Sequence, residues 1–362
     1  MKRTNKVLLI TGTHTTPAIE LINQLKNDAK TNWEIHYIGR KYNSSDSKYP
    51  SIESKLLPQL GINFHPISCG KLDRRWLPNT LKGIPQTLKA FIKSSKLISK
   101  INPDIVVSFG GYVSVPVVIA ASLKKIPSIT HEQTLTNSLS TRINSLFVTK
   151  IALSFNNQNQ IESLPKNKSH VTGNLLRSQI FRVDSPKFSK IKTKKPIIYI
   201  TAGNQGSHSI NEVVRKLIPQ LNDFLVIHQT GSRDYKKSLK LTHQYENYLV
   251  YDYIGLADIG WILNKADIII SRSGANTSQE IVALKKKSIL IPLPFSQQDE
   301  QLKNALWASA NLPQITSIIK QDDLEPKLLL NEIDKLSQKT SPKKDKIKHE
   351  KHPIIDLIYS LT

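Results

Sequence analysis

Hydrophobic residues follow two alternating patterns along this chain. Short runs that are apolar throughout recur as "KVLLIT" (6–11), "EIHYI" (34–38), "DIVVSF" (104–109), "PSIT" (127–130), "PIIYIT" (196–201), "FLVIH" (224–228), "DIIIS" (267–271) and "SILIPL" (288–293). Between them lie stretches in which apolar positions return every three or four residues, as at Leu81, Ile84, Leu88, Phe91 and Ile92. A strand that is apolar on both sides needs cover on both faces, and an intervening amphipathic helix supplies it. The pattern predicts an α/β protein with parallel sheets. The 84–92 stripe reads as the buried side of a helix that covers a sheet. Residues 105–123 carry no charge, yet they include Gly110, Gly111, Pro116 and three serines. They therefore read as a strand, a turn and a helix start rather than as a membrane span.

Turn residues place the working face. Of the fourteen glycines, Gly12, Gly39, Gly110, Gly111, Gly173, Gly203, Gly206, Gly231 and Gly274 follow the apolar runs closely. In open parallel sheets ligands bind beyond the carboxyl ends of the strands, where a missing side chain allows close backbone approach and helix N-termini offer N–H groups. The polar, basic stretch 182–196, "RVDSPKFSKIKTKKP", reads as a linker. The expected division is an N-terminal Rossmann-like domain over 1–176, a second over 177–345, and a C-terminal helix over 346–362 that returns to the first.

Composition changes the picture in two respects. The 51 Lys and Arg outnumber 28 Asp and Glu for a net charge of +23, which suits an anionic partner but is equally what a Lys- and Asn-rich base composition produces. The single cysteine, Cys69, excludes an internal disulfide and any Cys-cluster metal site, as in a reducing compartment. No export signal stands out, since "VLLI" is too short for one. The basic residues are dispersed and no RNA-binding aromatic motif is present, which argues against a nucleic-acid partner.

The segments "PDIVVSFGGYVSVPVVIAA", "IPSITHEQT", "VTGNLLR", "AGNQGSHSIN", "SRSGANTSQEI" and "QDEQLKNA", in this order over about residues 7–308, resemble the MurG family. These are UDP-GlcNAc transferases that convert lipid I to lipid II in peptidoglycan synthesis. The resemblance implies the GT-B architecture, two Rossmann-like domains with parallel sheets facing across a cleft. It also implies a peripheral location on the cytoplasmic face of the cell membrane. UDP-GlcNAc is then a substrate, and neither a metal nor another cofactor is expected.

The resemblance carries roles to individual positions. His14 matches the histidine of the family loop GGTGGH-x-x-P, the candidate base for the MurNAc 4-hydroxyl, with Leu9, Ile10 and Thr13 standing where that loop has glycine. Glu132 joins it as a second catalytic candidate. Gly110, Gly111, Tyr112 and Ser114 match the loop for the lipid diphosphate, with His131 on the same acceptor side. The donor set is Thr11, Gly12, Thr13 and Thr134 from the first half, Arg177 at the hinge, and Asn204, Gln205, Gly206, Ile254, Ser273, Gly274, Ala275, Asn276, Thr277, Glu280 and Gln301 from the second. Glu280 takes the ribose hydroxyls, Ile254 a backbone contact to uracil and Gln301 the sugar. Thr134 and Asn204 depart from the family's asparagine and serine. Arg74, Arg75, Trp76, Leu77 and Leu81 combine cations with apolar groups in a way suited to anionic lipid. The reaction implied is an inverting transfer of GlcNAc to lipid I. Two alternatives stand beside it: a GT-B paralogue that binds nucleotide or a lipid surface without turnover, and a transferase for another glycolipid acceptor.

Overall fold

The structure is a computed structural model that describes residues 4–42, 50–70, 77–203, 205–296, 299–340, 342 and 351–362. The chain divides into two compact units, Met1–Arg177 with Glu350–Thr362, and Ser178–His349. Unit 1 contains β1 (Thr4–Gly12), β2 (Thr31–Arg40), β3 (Asn63–Ile67), β4 (Ile105–Phe109), β5 (Ser128–Glu132), β6 (Lys150–Leu153) and β7 (Ser169–Val171). These seven strands form one parallel sheet in the order β3-β2-β1-β4-β5-β6-β7. Unit 2 contains β8 (Ile197–Thr201), β9 (Leu225–Gln229), β10 (Tyr248–Tyr251), β11 (Ile268–Ser271), β12 (Lys287–Leu290) and β13 (Thr316–Ile318). Its parallel order is β10-β9-β8-β11-β12-β13. All eight apolar runs are strands. The five strands that the pattern does not announce are β3, β6, β7, β10 and β13, which are short and lie toward the sheet edges, where fewer apolar residues are needed.

Successive side chains of a strand point to opposite faces, and in β1 both faces are covered. Leu8 and Ile10 join a core with Leu21, Ile22, Val107 and the C-terminal Ile354, Ile355 and Ile358, whereas Leu9 packs on the other face with Ile38, Val106 and Val117. The C-terminal helix Pro353–Tyr359 therefore completes the core of unit 1. Its Tyr359 hydroxyl donates to Asp28. Unit 2 builds its own core from Ile198, Ile200, Ile210, Val214, Ile268 and Ile289.

Two expectations are corrected here. The helix Leu77–Ile101 forms, but Ile84, Leu88 and Ile92 are 51%, 58% and 48% exposed. Its covered side is instead Ala90, Ser94 and Ile98. Small residues on that side let the neighbouring helix Ser114–Leu123 approach, and periodicity alone does not say which of two stripes turns inward. The stretch 182–196 is no free linker. Phe188 is buried against Tyr251 and Trp261, and the Ser185 hydroxyl donates to Asp258, so both belong to unit 2. Residues 105–123 are β4, a turn and a helix, and among the described residues no helix is long and apolar enough to cross a membrane.

Both sheets reverse direction of growth at one place, between β1 and β4 in unit 1 and between β8 and β11 in unit 2. At such a switch point the loops leave to opposite sides and open a crevice at the carboxyl edge. In unit 1 the far flank is braced by two imidazoles, His131 buried and His352 half-buried. His131 lies near His352, whose Nδ1 accepts the Ile354 N–H at the start of the C-terminal helix. Burial pushes His131 down to about 4 and His352 to about 3 from the ordinary 6.5, and in unit 2 burial takes His228 to about 3. All three are neutral in the fold, so the unfolded chain binds more protons as soon as pH drops below 6.5. Stability is then full above that value and is lost as pH falls toward the folded values, by on the order of 1 kcal/mol per pH unit for each group. Chemical denaturation from pH 7 to pH 4 is expected to show this fall. His352→Asn, which keeps a helix cap, is expected to flatten it for unit 1.

Candidate functional site

In unit 1 the loops after β1 and β4 meet directly. β1 and β4 run in register with Gly12 opposite Phe109, and the Thr13 N–H donates to the Gly110 carbonyl at 3.1 Å. His14 then stands at the N-cap position of the helix Thr15–Lys26, where its side chain makes no capping bond and its Nδ1 lies 2.8 Å from the Phe109 carbonyl oxygen. A carbonyl only accepts, so Nδ1 carries the proton, and the lone pair of the neutral ring resides on Nε2. The imidazole itself is exposed. Gly111 has φ +79°, and a Cβ there would lie 2.1 Å from the Thr13 hydroxyl oxygen, so the two loops stack only because residue 111 has no side chain.

Beneath these loops lies a buried set of polar side chains. The Gly110 N–H donates to the Ser108 hydroxyl at 3.2 Å and the Gly111 N–H to the Ser140 hydroxyl at 3.0 Å. Asn144 Nδ2 donates to Ser114 Oγ at 2.9 Å, and Ser114 in turn donates to the Gly111 carbonyl at 2.8 Å. The Glu132 carboxylate accepts from the Thr134 N–H at 3.1 Å and the Ser138 N–H at 3.0 Å, with the Thr134 hydroxyl 2.8 Å away. His131 is 1% exposed, with Nε2 3.1 Å from the Gly173 carbonyl oxygen.

Unit 2 repeats the arrangement with different chemistry. The turn after β8 and the turn after β9 touch through backbone, since a Cβ on Gly206, φ +73°, would lie 1.8 Å from the Thr230 carbonyl oxygen. Three helices begin at this edge, His208–Leu217, Ala275–Ala283 and Glu300–Asn311, and their first N–H groups are the donors that a helix leaves for an anion. Arg272, directly after β11, ties the first of these helix starts to the neighbouring loops. Its guanidinium donates to Ser207 Oγ at 2.8 Å, Ser209 Oγ at 3.0 Å, the Ile291 carbonyl at 3.1 Å and Gln321. The Ser273 hydroxyl donates to the Gln301 carbonyl at 2.7 Å, and Asn304 Nδ2 to the Ser273 carbonyl at 3.1 Å. Gln229 joins the Gly203 carbonyl at 2.9 Å to the Ile254 N–H at 3.0 Å.

Comparison with known proteins decides what these loops belong to. The N-terminal domain of glycosyltransferase family 28 matches residues 7–153, and its C-terminal domain matches residues 197–358. A UDP-N-acetylglucosamine--N-acetylmuramyl-(pentapeptide) pyrophosphoryl-undecaprenol N-acetylglucosamine transferase of Clostridium perfringens is 35% identical, covering 95% of this chain and 94% of that protein. The protein of the same name from Lachnoclostridium phytofermentans is 36% identical, covering 89% and 87%. The chain belongs to the MurG family. It is a glycosyltransferase. The solved structure of Acinetobacter baumannii MurG shares the fold, with a TM-score of 0.68 over 98% of this chain and 99% of that one at 21% identity.

Within this MurG-family frame the expected residues separate into groups. His14, Thr13, Gly12, Gly110, Gly111 and Tyr112 come together at the switch point of unit 1, and Gln205, Gly206, Ser273, Gly274, Ala275, Asn276, Thr277 and Gln301 gather at that of unit 2. Several are already engaged inside the protein. His131 is buried and tied to Gly173, so it braces β5 against β7 and does not face an acceptor. Ser114 and Thr11 are buried as well, Ser114 because Asn144 and Gly111 take its hydroxyl. Glu132 spends its carboxylate on its own loop, which makes it a positioning residue for Thr134 to Ser138 rather than a reacting group. Glu280 is buried on its helix, the Ile254 N–H is committed to Gln229, and Arg177 is a half-buried, engaged residue ending unit 1. Asn204, Arg74, Arg75 and Trp76 lie outside the described residues; Leu77 and Leu81 lie in the helix Leu77–Ile101, with side chains outside that description.

The residues missed from sequence are the ones that hold others: Ser140 and Asn144 below the glycines, Gln229, and Arg272. Only Arg272 had a legible signal, a cation inside a Ser-Gly turn directly after an apolar strand. Gly206→Ala is expected to destabilise unit 2 by ~3 kcal/mol or more, because strain and a backbone clash act together. Calorimetry that resolves the two units checks this, with unit 1 unchanged.

Proposed function

We propose that this glycosyltransferase moves GlcNAc from UDP-GlcNAc to the MurNAc 4-hydroxyl of lipid I, with inversion at C1. The observation that carries the reading is His14, an exposed imidazole whose tautomer is set by the Phe109 carbonyl. Its Nε2 removes the proton from the 4-hydroxyl as that oxygen bonds to C1 of the sugar and the C1–O bond to UDP breaks. Unit 2 supplies the grip on the leaving group. Charge developing on the diphosphate is met by the N-terminal ends of the three helices tied by Arg272 and Ser273, and Arg177 adds a cation. Glu280 serves the ribose and Gln301 the sugar hydroxyls. The backbone N–H groups of Gly110 and Gly111 donate to the lipid diphosphate by exchanging their bonds to Ser108 and Ser140 for phosphate oxygens.

The test is release of UDP with lipid I as acceptor. His14→Ala is expected to slow turnover by about 10²–10⁴-fold while thermal stabilisation by UDP-GlcNAc persists. Unchanged turnover in that variant, or no turnover with lipid I in the parent chain, refutes the reading.

The same proposal places the chain at the cytoplasmic face of the membrane, held by the helix Leu77–Ile101. Ile84, Leu88 and Ile92 recur every fourth residue and are exposed, and Lys89 and Lys93 are exposed beside them. An apolar stripe flanked by cations suits the boundary between acyl chains and anionic headgroups. Leu88→Glu with Ile92→Glu is expected to weaken co-sedimentation with phosphatidylglycerol vesicles by at least about tenfold, given about 1.5–3 kcal/mol for each buried aliphatic side chain. Undiminished binding removes this helix as the contact.

A further inference from the structure

A second feature of unit 1 lies at the carboxyl edge of its sheet, on the β2 and β3 side of the His14 loop. A cavity of about 250 Å³ is walled there by Arg40, Lys41, Tyr42, Cys69, Gln86 and Tyr112. Arg40 is the last residue of β2, and its Nε donates to Glu53 Oε1 at 2.9 Å. The Glu53 side chain is 1% exposed and that of Arg40 22%. The other Glu53 oxygen receives the Thr15 hydroxyl at 3.4 Å, immediately after His14. Backbone bonds fix the same corner: Ser51 Oγ donates to the Arg40 carbonyl at 2.6 Å and Ser51 N–H to the Lys41 carbonyl at 3.0 Å. The Tyr112 hydroxyl bonds the guanidinium, which brings the turn after Gly111 into the wall.

A buried ion pair is a poor source of stability, because desolvation offsets its attraction and an apolar pair packs as well. Its use here is orientation. Glu53 stands behind Arg40 and is not part of the wall, so the pair presents its positive end to the cavity. Lys41 adds a second cation, no carboxylate lines the space among the described residues, and Tyr42, Gln86 and Tyr112 contribute neutral polar groups. A rigid guanidinium fork beside aromatic and apolar walls is matched to a phosphate or carboxylate attached to a larger molecule. We infer that this cavity is an oxyanion subsite for the acceptor, where Arg40 and Lys41 hold a phosphate or carboxylate of that molecule while Glu53 and Thr15 link the subsite to the loop that carries His14. The inference rests on the lipid I reading and adds to it a residue pair that determines acceptor affinity.

Cys69 gives a local readout, because it is the chain's one cysteine and lines the cavity. Burial raises its thiol pKa, so alkylation by iodoacetamide is followed at alkaline pH. Inorganic pyrophosphate or lipid I is expected to slow that alkylation several-fold in the parent chain and to have no effect in Arg40→Gln with Glu53→Gln, a pair that leaves no lone buried charge. In the same double variant the acceptor KM is expected to rise about tenfold, the value of one charge-assisted contact, with the donor KM unmoved. Arg40→Lys, which keeps the partner of Glu53 but loses the planar fork, is expected to fall between. An acceptor with its peptide carboxylates amidated separates the sources: the KM difference between parent and variant vanishes if a carboxylate is held and persists if a phosphate is. Protection of Cys69 by neither probe, or an unchanged acceptor KM in a double variant that unfolds at the parent temperature, overturns the inference. A parent chain with no turnover on lipid I fails the transferase reading instead, and Cys69 protection still decides the cavity.

Discussion

The bond between His14 Nδ1 and the Phe109 carbonyl depends on a backbone constraint that the rest of unit 1 exists to satisfy. Phe109 ends β4 and lies opposite Gly12 of β1, so the carbonyl reaches the imidazole only where these two strands are neighbours and their loops part. Gly111 must lack a Cβ for Thr13 to pass over it. The apolar sides of β1 and β4 hold the register, and the register fixes the tautomer. A proton acceptor at Nε2 is therefore a consequence of sheet order. No neighbouring carboxylate is required to orient the ring.

The two switch points solve the same problem with different materials. In unit 1 hydroxyls and amides of Ser108, Ser114, Ser140 and Asn144 satisfy the glycine turn from below. Neutral hydrogen bonds of this sort contribute about 1 kcal/mol each and are readily exchanged, which leaves the turn able to accept another oxygen in place of a serine. In unit 2 one guanidinium does the corresponding task, spanning the start of one helix, the end of β12 and Gln321. Charge-assisted bonds are stronger and less easily traded, so the helix ends keep their positions whatever occupies the space before them. The hydroxyl-supported turn of unit 1 is thus the exchangeable one, and the helix ends of unit 2 are the fixed ones.

Burial of polar groups explains the other departures from a simple reading. His131, adjacent in sequence to Glu132, looks like a site residue, but β5 is central and its alternate side chains point into covered layers. Its imidazole answers the carbonyl of Gly173 and packs near His352, so the acid sensitivity expected of the unit arises where the C-terminal helix docks. The helix Leu77–Ile101 shows the converse. Ile84, Leu88 and Ile92 stay outside, while the smaller Ala90 and Ser94 on the covered side, beside Ile98, permit closer packing.

Local sequence determined the strands rich in Ile and Val, the parallel class, the glycine turns that close the strands, and the motifs of a MurG-type transferase. Those features depend on side-chain volume, on φ and on residue identity, all of which are properties of short segments. Only the tertiary structure decided which polar groups were already spent, as with Ser114, the Glu132 carboxylate and the Ile254 N–H, and which stripe of a helix met the sheet. It also brought together pairs far apart in the chain, Gly111 with Ser140, Ser207 with Arg272, Arg40 with Glu53 and Thr15. A hydrogen bond between distant residues leaves no periodic trace, because its cost and gain are set by burial and geometry that exist only once the layers have packed.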